Sequence, residues 1–103
     1  MKCLDDCHTY DLDMFLGINP RGHYQLHFYE MQLDGTKIDG VTNEEVLYVL
    51  IHRLKFLNDE WQGGKFKCRE NSLAITKLEE ALMWLDHRTA DRKKRKIEGT
   101  HNP

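Results

Sequence analysis

The sequence predicts an α+β fold: an N-terminal three-stranded antiparallel β-meander, then a two-helix antiparallel hairpin, with copies assembling through the helices. Three observations predict it. Apolar and polar residues alternate through the first third of the chain, the period of half-buried strands. A helix-start signature then opens a run whose apolar residues recur every three or four positions. A di-glycine separates that run from a second one of the same spacing.

The elements follow in order. In "HTYDLDMFLGI", Tyr10, Leu12, Met14, Leu16 and Ile18 alternate with Asp11, Asp13, Phe15 and Gly17, giving the first strand. "NPRG" (Asn19–Gly22) supplies a turn, with Pro20 presetting φ and Gly22 closing it. "HYQLHFYEMQL" puts Tyr24, Leu26 and Phe28 on one face and Gln25, His27 and Tyr29 on the other, the second strand. Asp34-Gly35 marks a tight turn into a short third strand around Thr36–Ile38.

The first helix starts at "VTNEEV", where Thr42 and Glu45 form a capping box and Val41 and Val46 a hydrophobic staple. Leu47, Leu50, Leu54, Leu57 and Trp61 make its apolar stripe. Gly63-Gly64 ends it. The second helix begins near Cys68 or Arg69 and carries Ile75, Leu78, Leu82, Leu85 and Thr89 as a matching stripe. Gly99 is placed to stop that helix. The 103 residues read as one domain, 1–103, with the meander over 1–40 and the hairpin over 41–101. Ala74, Ala81, Met83 and Trp84 fall off the main stripe, so apolar surface remains for a dimer or larger oligomer to cover.

Composition narrows the function. Hydrophobic residues at 40% and charged residues at 31% describe a folded rather than a disordered chain. No apolar run is long enough to cross a bilayer, and "MKCLDDCHTYDLD" lacks the apolar core of a signal peptide; the expected location is cytoplasmic. Cys3, Cys7 and Cys68 then read as free thiols, since their spacing with His8 matches no zinc pattern. The single serine, Ser72, lies inside a helix without a His/Asp arrangement, and Glu79 and Glu80 fall on an exposed helix face. The di-glycine lacks the Lys-Ser or Lys-Thr of a phosphate loop. No enzyme, metal or cofactor is expected.

Charge is uneven. Residues 1–60 hold five Lys/Arg against eleven Asp/Glu, and residues 61–103 hold ten against six. An anionic ligand should prefer the second half. Residues 86–96 alone hold six Lys/Arg. Cations at a helix C-terminus complement the helix dipole, which accounts for many such runs. Arg88 and Arg92 stand apart, being one turn apart within the patterned helix and offering forks matched to phosphate oxygens. Thr89 adds a hydroxyl, and "EGT" (Glu98–Thr100) backbone amides in a tight turn. Trp61 reads as a core or dimer-interface anchor, or as a flat surface for a base. Asn71 reads as a support for the helix start or as a reader of a polar ring edge.

The blocks "GVTNEEVLYVLIHRL", "RENSLAITKLEEALMWL" and "HRTADRKKRKIEGTH" resemble the helical-hairpin domain of phage and prophage sponge proteins. These are the Thoeris anti-defence family and the related anti-CBASS sponges, and the strand-rich N-terminus is more like the Thoeris branch. The resemblance implies sequestration of cyclic nucleotide immune messengers without cleavage: glycocyclic ADP-ribose, with CBASS cyclic tri- or dinucleotides as a further class. It implies ligand contacts from Trp61, Asn71 and Arg88, with Arg69, Thr89, Arg92 and Thr100 as further candidates near helix ends. It implies a homo-oligomer, a dimer or a hexamer built as a trimer of dimers, in the cytoplasm of an infected bacterial host. Neither a membrane nor a nucleic-acid polymer is an expected partner.

Geometry sharpens this expectation. Asn71 and Arg88 are seventeen positions apart on one predicted helix, or roughly 25 Å at the rise of an α-helix. A compact ligand touches both only if they come from two subunits whose second helices run antiparallel. The rival reading is a small phage DNA- or RNA-binding regulator using residues 88–96, for which affinity would fall steeply with salt.

Overall fold

The computed structural model describes residues 1–14 and 24–101, with the side chains of 96–101 outside that description. Two compact units divide the chain, Met1–Asn43 and Glu44–Pro103. The first holds strands β1 (Lys2–Asp5), β2 (Thr9–Leu12), β3 (Tyr24–His27), β4 (Glu30–Met31) and β5 (Lys37–Ile38). The second holds helix α1 (Asn43–Asp59, whose first residue closes the first unit), a 3-10 turn over Trp61–Gly64, and helix α2 (Arg69–His101). The α+β class is as the sequence predicts: a three-stranded antiparallel sheet followed by two helices.

The membership of that sheet differs from expectation. Its order is β1-β2-β3, and β1 is a strand the pattern did not reveal. It pairs through Lys2↔Asp11, Cys3↔Tyr10 and Asp5↔Thr9, with a register shift between Cys3 and Asp5. The turn places Asp6 and Cys7 at φ 37° and 64°, while the His8 amide donates to the Asp5 carbonyl at 2.8 Å. Left-handed residues suit a tight hairpin, but Asp-Cys is not the Asn-Gly or Asp-Gly by which such turns are read. The expected strand over Tyr10–Ile18 appears as β2; its part from Phe15 on, and the Asn19–Gly22 turn, lie outside the described residues.

Between β2 and β3 the ladder runs Thr9↔His27, Tyr10↔Leu26, Asp11↔Gln25 and Leu12↔Tyr24. Polar residues bond across one face, Thr9 Oγ1 to His27 Nδ1 at 2.7 Å and Gln25 Nε2 to Asp11 Oδ1 at 3.1 Å. On the other, Tyr10 meets Phe28 edge to face at 5.8 Å. The single long strand expected over His23–Leu33 is broken after His27. Phe28 bridges Val41 in parallel, and the Val41 amide donates to the His27 carbonyl at 2.9 Å. Gly40 permits that approach: a Cβ there would lie 2.4 Å from the Phe28 carbonyl carbon and 2.6 Å from the Tyr29 nitrogen. β4 and β5 form their own two-stranded ladder, Glu30↔Ile38 and Met31↔Lys37. The predicted third strand therefore pairs outside the three-stranded sheet.

α1 begins immediately after Thr42, where the capping box puts it. Its most buried residues are Ile51 and Asn58, with Leu47, Leu54 and Leu57 half-buried. Leu50, expected in the stripe, is 41% exposed. The run Val46–Ile51 is apolar throughout, so several phases fit a helical period, and packing selects the one through Ile51. On α2 the expected seam holds: Ile75 is buried, and Leu78, Leu82 and Leu85 are half-buried, while Thr89 is exposed. Pairs between the helices fix an antiparallel register: Asn58 with Ser72, Lys55 with Glu79, and Glu44 with Arg88.

Two expectations about ends are corrected. α1 stops at Asp59, so Trp61 belongs to the following turn, where Gln62, Gly63 and Gly64 take φ of 48°, 69° and 78°. Three successive left-handed residues cannot continue a right-handed helix. α2 instead runs past Gly99 to His101. A lone helical glycine costs about 1 kcal/mol, too little to stop a helix flanked by Arg, Lys, Ile and Glu. Residues 98–100 are therefore helical rather than a tight turn, and Arg88 to Arg95 lie before the final turn, beyond reach of the dipole argument.

Asn58 joins the two helices. It is 3% exposed; its Oδ1 accepts the Cys68 amide at 2.9 Å, and its Nδ2 donates to Ser72 Oγ at 3.2 Å. The Ser72 hydroxyl in turn donates to the Cys68 carbonyl at 3.3 Å. Asn58→Ala, which strands the Cys68 amide, is expected to lower the free energy of unfolding by about 1–3 kcal/mol. Ser72→Ala, which leaves that amide paired, is expected to cost less. Urea titrations followed by helical circular dichroism measure both, and an Asn58→Ala midpoint equal to wild type would contradict this role.

Candidate functional site

All seven sequence-predicted residues fall on the second unit, at two well-separated places. Trp61, Arg69 and Asn71 lie toward the loop end of the hairpin. Arg88, Thr89 and Arg92 lie farther along α2, and Thr100 is helical with its side chain outside the description. Asn71 and Arg88 share one continuous helix, so the interval of roughly 25 Å expected between them holds.

At the loop end, Trp61 leaves its ring accessible: it is 44% exposed and touches Phe56 at 5.8 Å with planes tilted by 53°. A stacking surface needs such an uncovered face. Asn71, half-buried in the first turn of α2, donates from Nδ2 to the Phe66 carbonyl at 3.4 Å. That bond and the Asn58 bridge hold the loop between the helices against the start of α2. Arg69 is exposed at the first residue of α2, beside the positive end of the helix dipole.

At the other place, Arg88 Nη2 lies 3.8 Å from Glu44 Oε1, the Arg side chain 47% exposed and the Glu side chain 21%. A pair this long and wet is weak, so the guanidinium remains available to a better-matched anion. Arg95 pairs with Asp91 at 2.7 Å, whereas Arg92, Lys93 and Lys94 face no described carboxylate within ion-pair distance. Because Arg88 stands beside the second residue of α1, the α2 turns after it have no α1 residue alongside.

Two grooves among the described residues lie elsewhere. One groove, lined by Tyr48, Ile51, Lys55, Glu79, Met83 and other residues, runs between the helices. A second, apolar one on α1 is formed by Tyr48, Val49, His52, Arg53 and Phe56. Neither contains a sequence-predicted residue. Among the described residues no three His, Cys, Asp or Glu side chains group as a metal site, and no helix is long and apolar enough to cross a membrane.

Sequence reading missed Asn58, Phe56, Phe66 and Glu44 as supports of these positions. Asn58 left a signal, a polar residue at helical spacing from Ile51 and Leu54; Phe66 acts through its carbonyl, which no side-chain pattern reports. Glu44→Gln is expected to shift the free energy of unfolding by no more than about 0.5 kcal/mol, read by urea titration. A loss of several times that would make the Glu44–Arg88 pair a structural clamp rather than an available charge.

Comparison with known proteins takes in the end of the first unit and most of the second. A family model, the Acb2/Tad1 hairpin domain, matches residues 29–90, more than half of the chain. A protein named Thoeris anti-defense 1, from Bacillus phage SBSphiJ7, is 54% identical over 63 residues. That match covers 61% of this chain and 42% of the relative, so the chain spans less than half of that protein's length. The family match takes in Trp61, Arg69, Asn71, Arg88 and Thr89, and stops short of Arg92 and Thr100. The resemblance read in the sequence is borne out, and the chain belongs to the Acb2/Tad1 hairpin-domain family.

Proposed function

We propose that this chain is a phage or prophage anti-defence sponge, one that binds cyclic nucleotide immune messengers and withholds them without cleaving them. Glycocyclic ADP-ribose is the proposed ligand, with CBASS cyclic tri- or dinucleotides as a second class near Arg69, Thr89, Arg92 and Thr100. The observation that carries the reading is the spacing along α2. Asn71 and Arg88 are too far apart on one chain to grip a compact ring together, and neither lines the two grooves formed by described residues of α1 and α2. Two copies with antiparallel second helices would bring Asn71 of one beside Arg88 of the other.

Exposed apolar residues support such an assembly. Tyr48, Val49, Met83 and Trp84 are 50%, 59%, 56% and 60% exposed, and the buried apolar residues are Ile51 and Ile75 alone among those described. A unit with so small a core gains stability by covering these faces. The proposed arrangement is a homodimer or a hexamer of three dimers, in the cytoplasm of the infected host. Its mechanism is mass action: Trp61 stacks on a base, Asn71 reads a ring edge, Arg88 exchanges its weak Glu44 contact for phosphate, and the free messenger falls as protein exceeds it. None of these roles requires a nucleophile, a general base or a metal.

The turns of α2 carrying Arg92, Lys93 and Lys94 favour a second reading, a regulator that grips DNA or RNA. It differs in one measurable respect, a steep fall of affinity with salt for long polyanions.

Calorimetry with cyclic ADP-ribose isomers and cyclic di- and trinucleotides is expected to give saturable binding of at least one. Asn71→Ala and Arg88→Ala should abolish it in proteins that keep their circular dichroism and oligomeric size. Trp61→Ala should weaken it by about ten- to a hundredfold, the worth of one stacked base. The ligand should return intact after the protein is heated. Unchanged affinity in both the Asn71 and Arg88 variants, or recovery of a cleaved ligand, would overturn the proposal.

A further inference from the structure

The first unit carries a feature outside the ligand reading. Cys3 lies on β1 and Cys7 in the turn that follows, and their sulfurs stand 3.3 Å apart, the Cys3 thiol donating to Cys7. Both are free and exposed. We propose that Cys3 and Cys7 are a reversible dithiol/disulfide pair, oxidised by small disulfides of the glutathione class and closing a covalent loop across the β1–β2 turn.

The two sulfurs already lie close to each other. A disulfide needs its sulfurs about 2.05 Å apart, so closure asks the exposed pair, now 3.3 Å apart, to approach by little more than about 1 Å. The turn is already held in the closed shape: Asp6 and Cys7 are both left-handed, and the His8 amide is bonded to the Asp5 carbonyl. Hydrogen bonds with Cys7 hold the protons on the Cys3 thiol and the Tyr10 hydroxyl, pushing both up from their ordinary range. Cys7, in the turn, is the first attacker in this scheme, with Cys3, its sulfur 3.3 Å away, as the resolving partner.

The chemistry balances in two exchanges. The Cys7 thiolate attacks one sulfur of the small disulfide, forming a mixed disulfide and releasing one small thiolate. Cys3, losing its proton to water, then attacks the Cys7 sulfur and expels the second small thiolate. The two protein thiols lose two electrons, the small disulfide gains them, and the released protons end on the two small thiols. A dithiol reductant reverses both steps. Exposed disulfides are the labile class, which suits a switch rather than a permanent staple.

A metal is the less fitting occupant. His8, which would supply a third ligand, faces Glu30 at 3.8 Å, and no three-ligand group forms among the described residues. None of the residues proposed for ligand binding lies in Met1–Asn43, so this inference stands or falls independently of the sponge reading.

The test exposes the full native chain to oxidised glutathione, alkylates with iodoacetamide and maps each cysteine by mass spectrometry. The expected result is joint loss of alkylation at Cys3 and Cys7 through a bond between them, reversed by a dithiol, without a bond to Cys68. In the Cys7→Ser variant, Cys3 should stop as an unresolved glutathione adduct or stay alkylatable. Separate glutathione adducts on Cys3 and Cys7 of the wild type, bonds between chains, or alkylation persisting at both would overturn the proposal.

Discussion

In the seam between α1 and α2, a buried amide side chain takes the place an aliphatic residue would otherwise fill. Asn58 accepts the backbone amide that opens α2 and donates to the hydroxyl one turn farther in. A buried polar group is tolerable only with its partners in place, so these bonds admit one hairpin register and reject neighbouring ones. From that register follow the Lys55–Glu79 and Glu44–Arg88 pairs. The placement of Asn71 in the first turn of α2 follows as well. The apolar part of the seam is slight, with Ile51 and Ile75 as its buried members among the described residues; specificity of register comes from the amide.

The unequal lengths of the two helices matter for what this hairpin can do. α1 has 17 residues and α2 has 33. The shorter helix therefore covers the longer one from Asn71 to about Arg88 and leaves the cationic turns beyond it without a neighbour on this unit. A helix is a rigid ruler over this range, and it holds Asn71 and Arg88 far apart whatever the solvent does. Any site using both must be composite. In the proposed oligomer, the same contact that completes such a site would also cover exposed Met83, Trp84 and Tyr48.

Much of this was legible in the sequence, and the rest was hidden for identifiable reasons. The capping box at Thr42, the seam through Ile75, Leu78, Leu82 and Leu85, and the spacing of Asn71 from Arg88 are all local or periodic features, which residue order encodes directly. The phase of α1 was not, because six successive apolar residues from Val46 to Ile51 satisfy several phases and burial alone selects Ile51 over Leu50. β1 was hidden because Asp6 and Cys7 adopt a turn usually signalled by Asn-Gly. The break after His27 depends on Val41 arriving beside Phe28, a long-range pairing that Gly40 permits but does not announce. Gly99 looked like a terminator, yet a residue that merely weakens a helix stops it only when its neighbours also disfavour continuation. At the site, Trp61 and Asn71 were legible as residue types; their supports, the Phe56 ring and the Phe66 carbonyl, come from tertiary contact.

The central claim is that one messenger is held by Asn71 from one copy and Arg88 from another. Mixing the Asn71→Ala and Arg88→Ala proteins under conditions of subunit exchange tests it most directly. Each mixed dimer then contains one site with both residues intact and one with neither, so two non-binding proteins should together recover about a quarter of the wild-type sites. A mixture as inactive as its components, with exchange verified, would mean that each site is built within a single chain and would contradict the account.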